Sequence, residues 1–418
     1  MNISYFDDSR ITEKTIKSKI TKLSQYRQEI RKNTEENNSE VPEYSLYYPK
    51  DFTLHNTISE LAKSYKNIKH LVVIGIGGSN LGTEAIHEVL DEDKVKLSVL
   101  DTVSAHKLAS LLNELKKYKK VSQLAICIIS KSGSTTETLS NASVLIEELK
   151  HHFGEEINRQ LIFIGDPKTE VEKYAKKISA HYITMPKIIG GRYSVATAVG
   201  LIPLALLGHD TDEFITGYLD ASKDEYETIT AENSARIALY LQNKYHHYNF
   251  FAFEPRLEKL GEWYRQLFAE SLGKETTKDG KLVKDAMIPT ISTPVELHSV
   301  GQLYFSKIAT VYTDFVTFDD EKFDFKTTKS NKLASGLKNL SLQEIVTGLY
   351  GGVIGAYQER ELPYRSTVFD ESLPYSLGLF MGMRLREIMY TANLIDVNAF
   401  DQPNVELYKI KTKEILKI

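Results

Sequence analysis

The sequence predicts an α/β protein built of two successive doubly wound parallel-sheet units, with helical extensions at both ends. Three observations lead there. From about residue 71, short apolar β-branched runs alternate with helical segments, the pattern of a parallel sheet covered by helices on both faces. The runs at 71–74 and 124–129 are continuously apolar, as in strands buried on both sides. After a helical span near 211–244, the order strand, helix, strand, helix begins again, which suggests a weak duplication.

Taken in order, residues 12–32 place Ile16, Ile20, Leu23, Tyr26 and Ile30 near helical spacing and predict an amphipathic helix. The polar stretch 33–45, NTEENNSEVPEYS, has no periodicity and predicts a linker. A helix near 56–66 leads into the first strand, and further strands are expected at 96–100, 124–129, 161–164 and 182–184. In the second unit, strands are expected at 250–253, 286–291 and 310–318. Helices are expected at 256–272 and 297–303, then near 340–358 and 373–392. The resulting division is an N-terminal helical extension and linker (1–50), a first α/β domain (51–210), a second (211–395) and a C-terminal helix (396–418).

The 418 residues are 42% apolar and 26% charged, ordinary for a globular chain of one large or two smaller units. A net charge of −4 gives no reason to expect nucleic acid or an anionic membrane as partner. No apolar run approaches the ~18 residues of a spanning helix. The start MNISYFDDSRITEK lacks a signal-peptide core, so a cytoplasmic location is expected. Cys127, the single cysteine, lies in LAICII and is expected to pack as a small hydrophobe; one cysteine gives no internal disulfide and no cysteine-based zinc site.

Six stretches carry chemistry. Gly75, Gly77 and Gly78 follow the first buried strand, with Ser79 and Asn80 before a helix near Leu81. Glycines there allow close backbone approach, and the helix N-terminus favours an anion. A ligand-free tight turn is the alternative. A dinucleotide fingerprint would need glycine at Asn80, although Asp101 stands where a ribose-binding acid would, so the nicotinamide reading is weakened without being removed. A Walker loop is excluded for want of Gly-Lys-Ser/Thr. The second stretch, SKSGSTTET (130–138), offers Ser130, Lys131, Ser132, Ser134 and Thr135 around Gly133, the donors and charge that a phosphate dianion requires. Third, Gly190–Gly191–Arg192 precedes a strongly apolar helix, and an arginine there is costly unless it meets an anion or developing negative charge. Fourth, GEWYRQLFAESLGKE (261–275) forms a helix with Leu260, Tyr264, Leu267 and Ser271 as its buried stripe. Trp263, Gln266 and Glu270 lie along its flank, Gln266 and Glu270 one turn apart, a setting in which a carboxylate serves as general base. Fifth is His298 in STPVELHSVGQLYF, near the start of a helix. Last is FDQPNVELYKIK (400–411), where Gln402 precedes a helix carrying Lys409; a solvated surface lysine is the alternative there.

Together these stretches resemble the phosphoglucose isomerase family, from about residue 50 to 412. GIGGSNLG and SKSGSTTET are similar to the two phosphate loops of sugar-isomerase (SIS) domains. GGRYSVATAVG, GEWYRQLFAESLGKE, ELHSVGQLY and FDQPNVELYK, in that order, narrow the likeness to the isomerase. The resemblance implies two SIS-type, flavodoxin-like subdomains, a sugar-phosphate substrate, no cofactor and no metal. It implies that Gly78, Ser79, Ser130, Lys131, Ser132 and Thr135 bind the substrate, the serines, lysine and threonine holding its phosphate, and that Gly191 and Arg192 sit by the reacting carbons. Glu270 would move a proton between carbons 2 and 1, with Gln266 in contact. His298 and Lys409 would assist ring opening, and Gln402 would touch the phosphate. It further implies a homodimer with His298 supplied across the interface. Two departures stand out: Asn404 replaces a glycine or alanine of the family motif, and the chain is shorter than many members. Rival readings are an NAD-linked oxidoreductase, a non-catalytic sugar-phosphate sensor, and an isomerase that also takes mannose 6-phosphate.

Overall fold

The structure, a computed structural model, describes residues 1–90, 94–318, 325–328, 332–337, 339–370 and 372–417 (backbone alone at 332, 334 and 335). Among the described residues, ten strands form two five-stranded sheets: β1 Asn2–Phe6, β2 His70–Ile74, β3 Lys96–Leu100, β4 Leu124–Ile129, β5 Leu161–Gly165, β6 His181–Thr184, β7 His247–Ala252, β8 Ile288–Ser292, β9 Val311–Phe318 and β10 Tyr364–Phe369.

The first sheet has the order β3-β2-β4-β5-β6 and is parallel throughout. Every residue of β2, β4 and β5 is buried, as their unbroken apolar runs require. The order reverses between β2 and β4, and ligands in such sheets bind beyond the strand ends at that point. Because Ile74 pairs with Ile128, the loops after these two strands leave the sheet level with each other.

The second sheet has the order β1-β10-β9-β7-β8. Without β1, its strands follow the order of β3-β2-β4-β5 in the first, so the duplication extends to topology. Two of its strands escape the sequence reading. β10 carries Arg365 as its second residue, which argues against a buried strand until its partners are known. β1 lies inside the supposed helical extension and pairs antiparallel with β10, joining the chain's start to a strand more than 350 residues on. The linker expected at 33–45 is also partly structured: the helix Glu13–Glu35 runs into its start, and its end enters the short turn Pro42–Leu46, where Glu43, Tyr44 and Ser45 are buried. The helix expected at 297–303 divides into a turn at Pro294–His298 and another at Gly301–Tyr304. Thr293 and Glu296 cap each other reciprocally and start the helical turn early. His298 therefore ends a turn where it was expected to head a helix.

A buried ionic cluster ties this sheet to two helices. Arg365 meets Asp314 of β9 at 2.6 and 2.8 Å and Glu387 at 2.5 Å, while Arg384 reaches Asp314 at 2.8 Å and Glu387 at 2.9 Å. Two guanidinium groups against two carboxylates leave no net charge in the core, the condition under which such groups tolerate burial. Tyr264, on the helix Glu258–Leu272, donates to Glu387 at 2.5 Å and so fixes that helix against the helix Leu373–Leu394.

Candidate active site

Three separate stretches meet beyond the carboxyl ends of β2 and β4. Gly77 adopts φ +63°, a conformation that favours glycine. The approach at Gly78 is closer still: a Cβ there would lie 2.1 Å from the Gly191 carbonyl oxygen and 2.7 Å from the Arg192 nitrogen. A Cβ at Gly77 would lie 2.6 Å from Gln266 Nε2. The glycine loop, the Gly191–Arg192 turn and the helix bearing Glu270 thus pack directly on one another, and Ser194 Oγ donates to the Gly78 carbonyl at 3.3 Å. Ser79 is part-exposed beside them.

The second loop is built for an anion. Ser130 is buried and its Oγ donates to Thr135 Oγ1 at 3.1 Å, while the hydroxyls of Ser132 and Ser134 lie 2.8 Å apart. Gly133 adopts φ +63°. Thr135 precedes the helix Thr136–Phe153 without capping it through its side chain, which leaves first-turn N–H groups for a ligand. Burial holds the Lys131 ammonium below the ordinary lysine range; Asp166 opposes that shift, and Lys187 and Arg192 add to it. Because β4 lies beside β2, this loop and the glycine loop leave the same edge of the sheet.

Arg192 is the hub, only 4% exposed. Its Nε donates to Ser271 Oγ at 2.8 Å. Nη1 donates to Glu270 Oε2 at 3.1 Å and to Gln402 Oε1 at 3.0 Å. Nη2 donates to the carbonyls of Ala399 at 2.5 Å and Asp401 at 2.9 Å. Gln266 Nε2 holds the other Glu270 oxygen at 3.0 Å. The carboxylate is thus oriented on both oxygens and, at one-third exposed, still open to solvent. A fixed carboxylate beside a fixed guanidinium can take a proton from carbon and balance the negative charge that results.

The sequence-based stripe Leu260, Tyr264, Leu267 and Ser271 is buried, but Trp263 also turns into the core at 2% exposure and does not share the flank of Glu270. Gln402 arrives at Arg192 from the far end of the chain. His298 and Lys409 do not join this cluster within one chain. His298 is exposed, and Lys409 Nζ donates to Glu406 at 2.7 Å on its own helix. Asn404 is exposed in the turn before that helix. Two members of the contact network escaped the sequence reading in that role, Ser271 and Lys274, although both lie inside the motif that revealed Glu270. The signal for Lys274 was its place one turn after Glu270.

Comparison with known proteins identifies the family. A family model described as phosphoglucose isomerase matches residues 12–418. The glucose-6-phosphate isomerase of Clostridium tetani is 32% identical over 363 residues, covering 81% of this chain and 78% of that protein. That of Thermus thermophilus is 30% identical over 356 residues, 84% of each. A crystal structure of a hypothetical protein, also from Thermus thermophilus, matches with a TM-score of 0.85 at 26% identity, over 99% of this chain and 100% of that one. A glucose-6-phosphate isomerase from Chlamydia trachomatis matches with a TM-score of 0.80 at 16% identity, over 99% and 88%, which speaks to the fold alone. The family model over residues 12–418 and the relative 32% identical over 81% of this chain show that the chain belongs to the phosphoglucose isomerase family.

Proposed function

We propose that this protein interconverts glucose 6-phosphate and fructose 6-phosphate by ring opening and proton transfer through a cis-enediolate. The observation that carries the reading is the Glu270 carboxylate, one-third exposed and held by Gln266 and Arg192, with a phosphate-type loop following β4, the strand beside β2. Ser79, Ser130, Lys131, Ser132 and Thr135 anchor the phosphate, with Gln402 beside it. Binding energy from that non-reacting group orients carbons 1 and 2 against Glu270. Glu270 moves the proton between them, and Arg192 balances the enediolate charge. A positioned base supplies about 10²–10⁴-fold, and a preorganised charge partner a comparable factor. The chemistry asks for no redox group.

Ring opening falls to His298 and Lys409. In this proposal the enzyme is a homodimer and His298 serves the partner's site. Its exposure supports this, as do the exposed apolar side chains around it, Val295, Val300 and Leu303. Lys409 rides on the helix Glu406–Leu416, which buries no residue in one chain and exposes Leu407, Tyr408 and Ile410. The reaction belongs to glycolysis and gluconeogenesis in the cytoplasm; no helix among the described residues is long and apolar enough to cross a membrane. The test is an assay with fructose 6-phosphate and mannose 6-phosphate in separate wells, with no added metal or nucleotide. Glucose 6-phosphate formed from fructose 6-phosphate is the expected result; turnover that depends on added NAD would overturn it.

A further inference from the structure

Lys274 lies just beyond the helix Glu258–Leu272, and the reaction scheme above gives it no part. Its side chain is 7% exposed, a costly position for an ammonium without partners. The partners are there: Nζ donates to the Glu270 carbonyl at 2.6 Å and to the Asp401 carbonyl, and lies 3.1 Å from Asp401 Oδ1. An ammonium carries three protons, so these oxygens occupy it fully and leave none for a substrate. Two of its three partners belong to the segment 399–402, to which Arg192 also donates through the Ala399 and Asp401 carbonyls and Gln402 Oε1. Tyr193 adds a bond to the Ala399 carbonyl at 3.0 Å. Because the following helix buries no residue, this segment is where the C-terminal arm is fastened to the body.

We infer that Lys274 is a positioning residue that fastens the strap 399–402 to the last turn of the helix bearing Glu270, keeping Glu270, Arg192 and Gln402 in one fixed relation. Its link to turnover rests on the isomerase reading; its link to the strap does not. Arg192 grips the strap from the sheet side and Lys274 from the helix side, so loss of either lets the strap shift relative to the base. The same fastening fixes where the arm bearing Lys409 begins.

The test combines hydrogen exchange at 399–405, read by mass spectrometry, with kcat and KM for fructose 6-phosphate. Lys274→Met keeps the length and apolar stem of the side chain and removes its donors. It is expected to speed strap exchange by about tenfold or more and to lower kcat by about as much. KM should rise by less than about threefold, since Gln402 is the one proposed phosphate contact that lies in the strap and the others lie on the loops after β2 and β4. Lys274→Arg, which restores charge and donors, should recover part of both losses. Asp401→Asn alters a half-exposed carboxylate with little risk to folding, and should speed exchange in the same segment by about twofold to threefold. Strap exchange within twofold of wild type in Lys274→Met overturns the proposal, as does a wild-type kcat in that variant. If Lys274→Met does not fold, wild-type exchange in Asp401→Asn overturns it instead. Should the wild-type protein not turn over the sugar phosphate, the isomerase reading fails, and the exchange arm still decides the clamp.

Discussion

Replacing Arg192 with lysine keeps the charge and removes the planar fork, and the structure sets the size of the loss. Arg192 donates from three nitrogens to Ser271, Glu270, Gln402 and the carbonyls of Ala399 and Asp401. An ammonium has three protons on one nitrogen, so at least two of these five partners lose their donor. A hydrogen bond from a charged group contributes about 1.5–3 kcal/mol, which makes the total loss roughly 3–6 kcal/mol. Part of this appears in folding, because Ser271 and the Ala399 carbonyl, both buried contacts of Arg192, then keep only their bonds to Tyr193. The part belonging to Glu270 and the enediolate appears in the transition state. A share of about 2.7 kcal/mol there corresponds to about 10²-fold in kcat/KM. The assay is steady-state turnover of fructose 6-phosphate, with urea unfolding run in parallel to apportion the two effects. A kcat/KM within twofold of wild type would show that the guanidinium has no part in the transition state.

Glu270→Gln should lower kcat by about 10²-fold or more yet leave binding of a sugar-phosphate inhibitor nearly intact, while Lys131→Ala should mainly raise KM; more than about a tenth of wild-type kcat in Glu270→Gln refutes the base assignment. Glu270→Gln and His298→Ala homodimers should each be nearly inactive. Mixed and reassorted at 1:1, they should recover about a quarter of wild-type activity, since about half the dimers are mixed and each holds one intact site; exchange confirmed by mass with no recovered activity places His298 in its own chain's site. His70, buried in β2 with Nε2 2.8 Å from Ser98 Oγ, has its pKa pushed from 6.5 down to about 4 by burial, with Glu114 opposing and Lys96 assisting. The neutral ring is then favoured in the folded state, so its contribution is complete above pH 6.5 and is lost as pH falls toward 4, by about 3 kcal/mol in all. Urea unfolding at pH 7 and 4.5 should show a smaller pH dependence in His70→Gln than in wild type; equal pH dependence contradicts the assignment.

What the sequence revealed and what it hid divide along physical lines. The strands β2, β4 and β5 announce themselves because a fully buried strand must be apolar on both faces, and the glycines and hydroxyls that follow them are needed at their own positions. Glu270 and Gln266 are legible because helical spacing alone places them together. β10 is not, because Arg365 becomes tolerable in a core only through Asp314 and Glu387, which lie on other elements. β1, NISYF, has no unbroken apolar run because none of its residues is fully buried, and it is stabilised by pairing with the far end of the chain. Lys274 is hidden for a related reason: its partners include backbone carbonyls, one of them 127 residues away, and any sequence supplies carbonyls. Trp263 was assigned to the wrong face because its neighbours on the helix bound a wide apolar stripe, and one position decides between core and flank.

The central claim is that Glu270 moves a proton between carbons 1 and 2 of the sugar phosphate. It is tested most directly by running the reaction on fructose 6-phosphate in deuterium oxide and following carbons 1 and 2 by NMR. A proton held on a carboxylate that is one-third exposed can exchange with solvent before it is returned. Glucose 6-phosphate should carry deuterium at carbon 2, the remaining fructose 6-phosphate should exchange at carbon 1, and Glu270→Gln should show neither signal. Glucose 6-phosphate formed with no deuterium at carbon 2, or deuterium incorporation at the wild-type rate in Glu270→Gln, would contradict it.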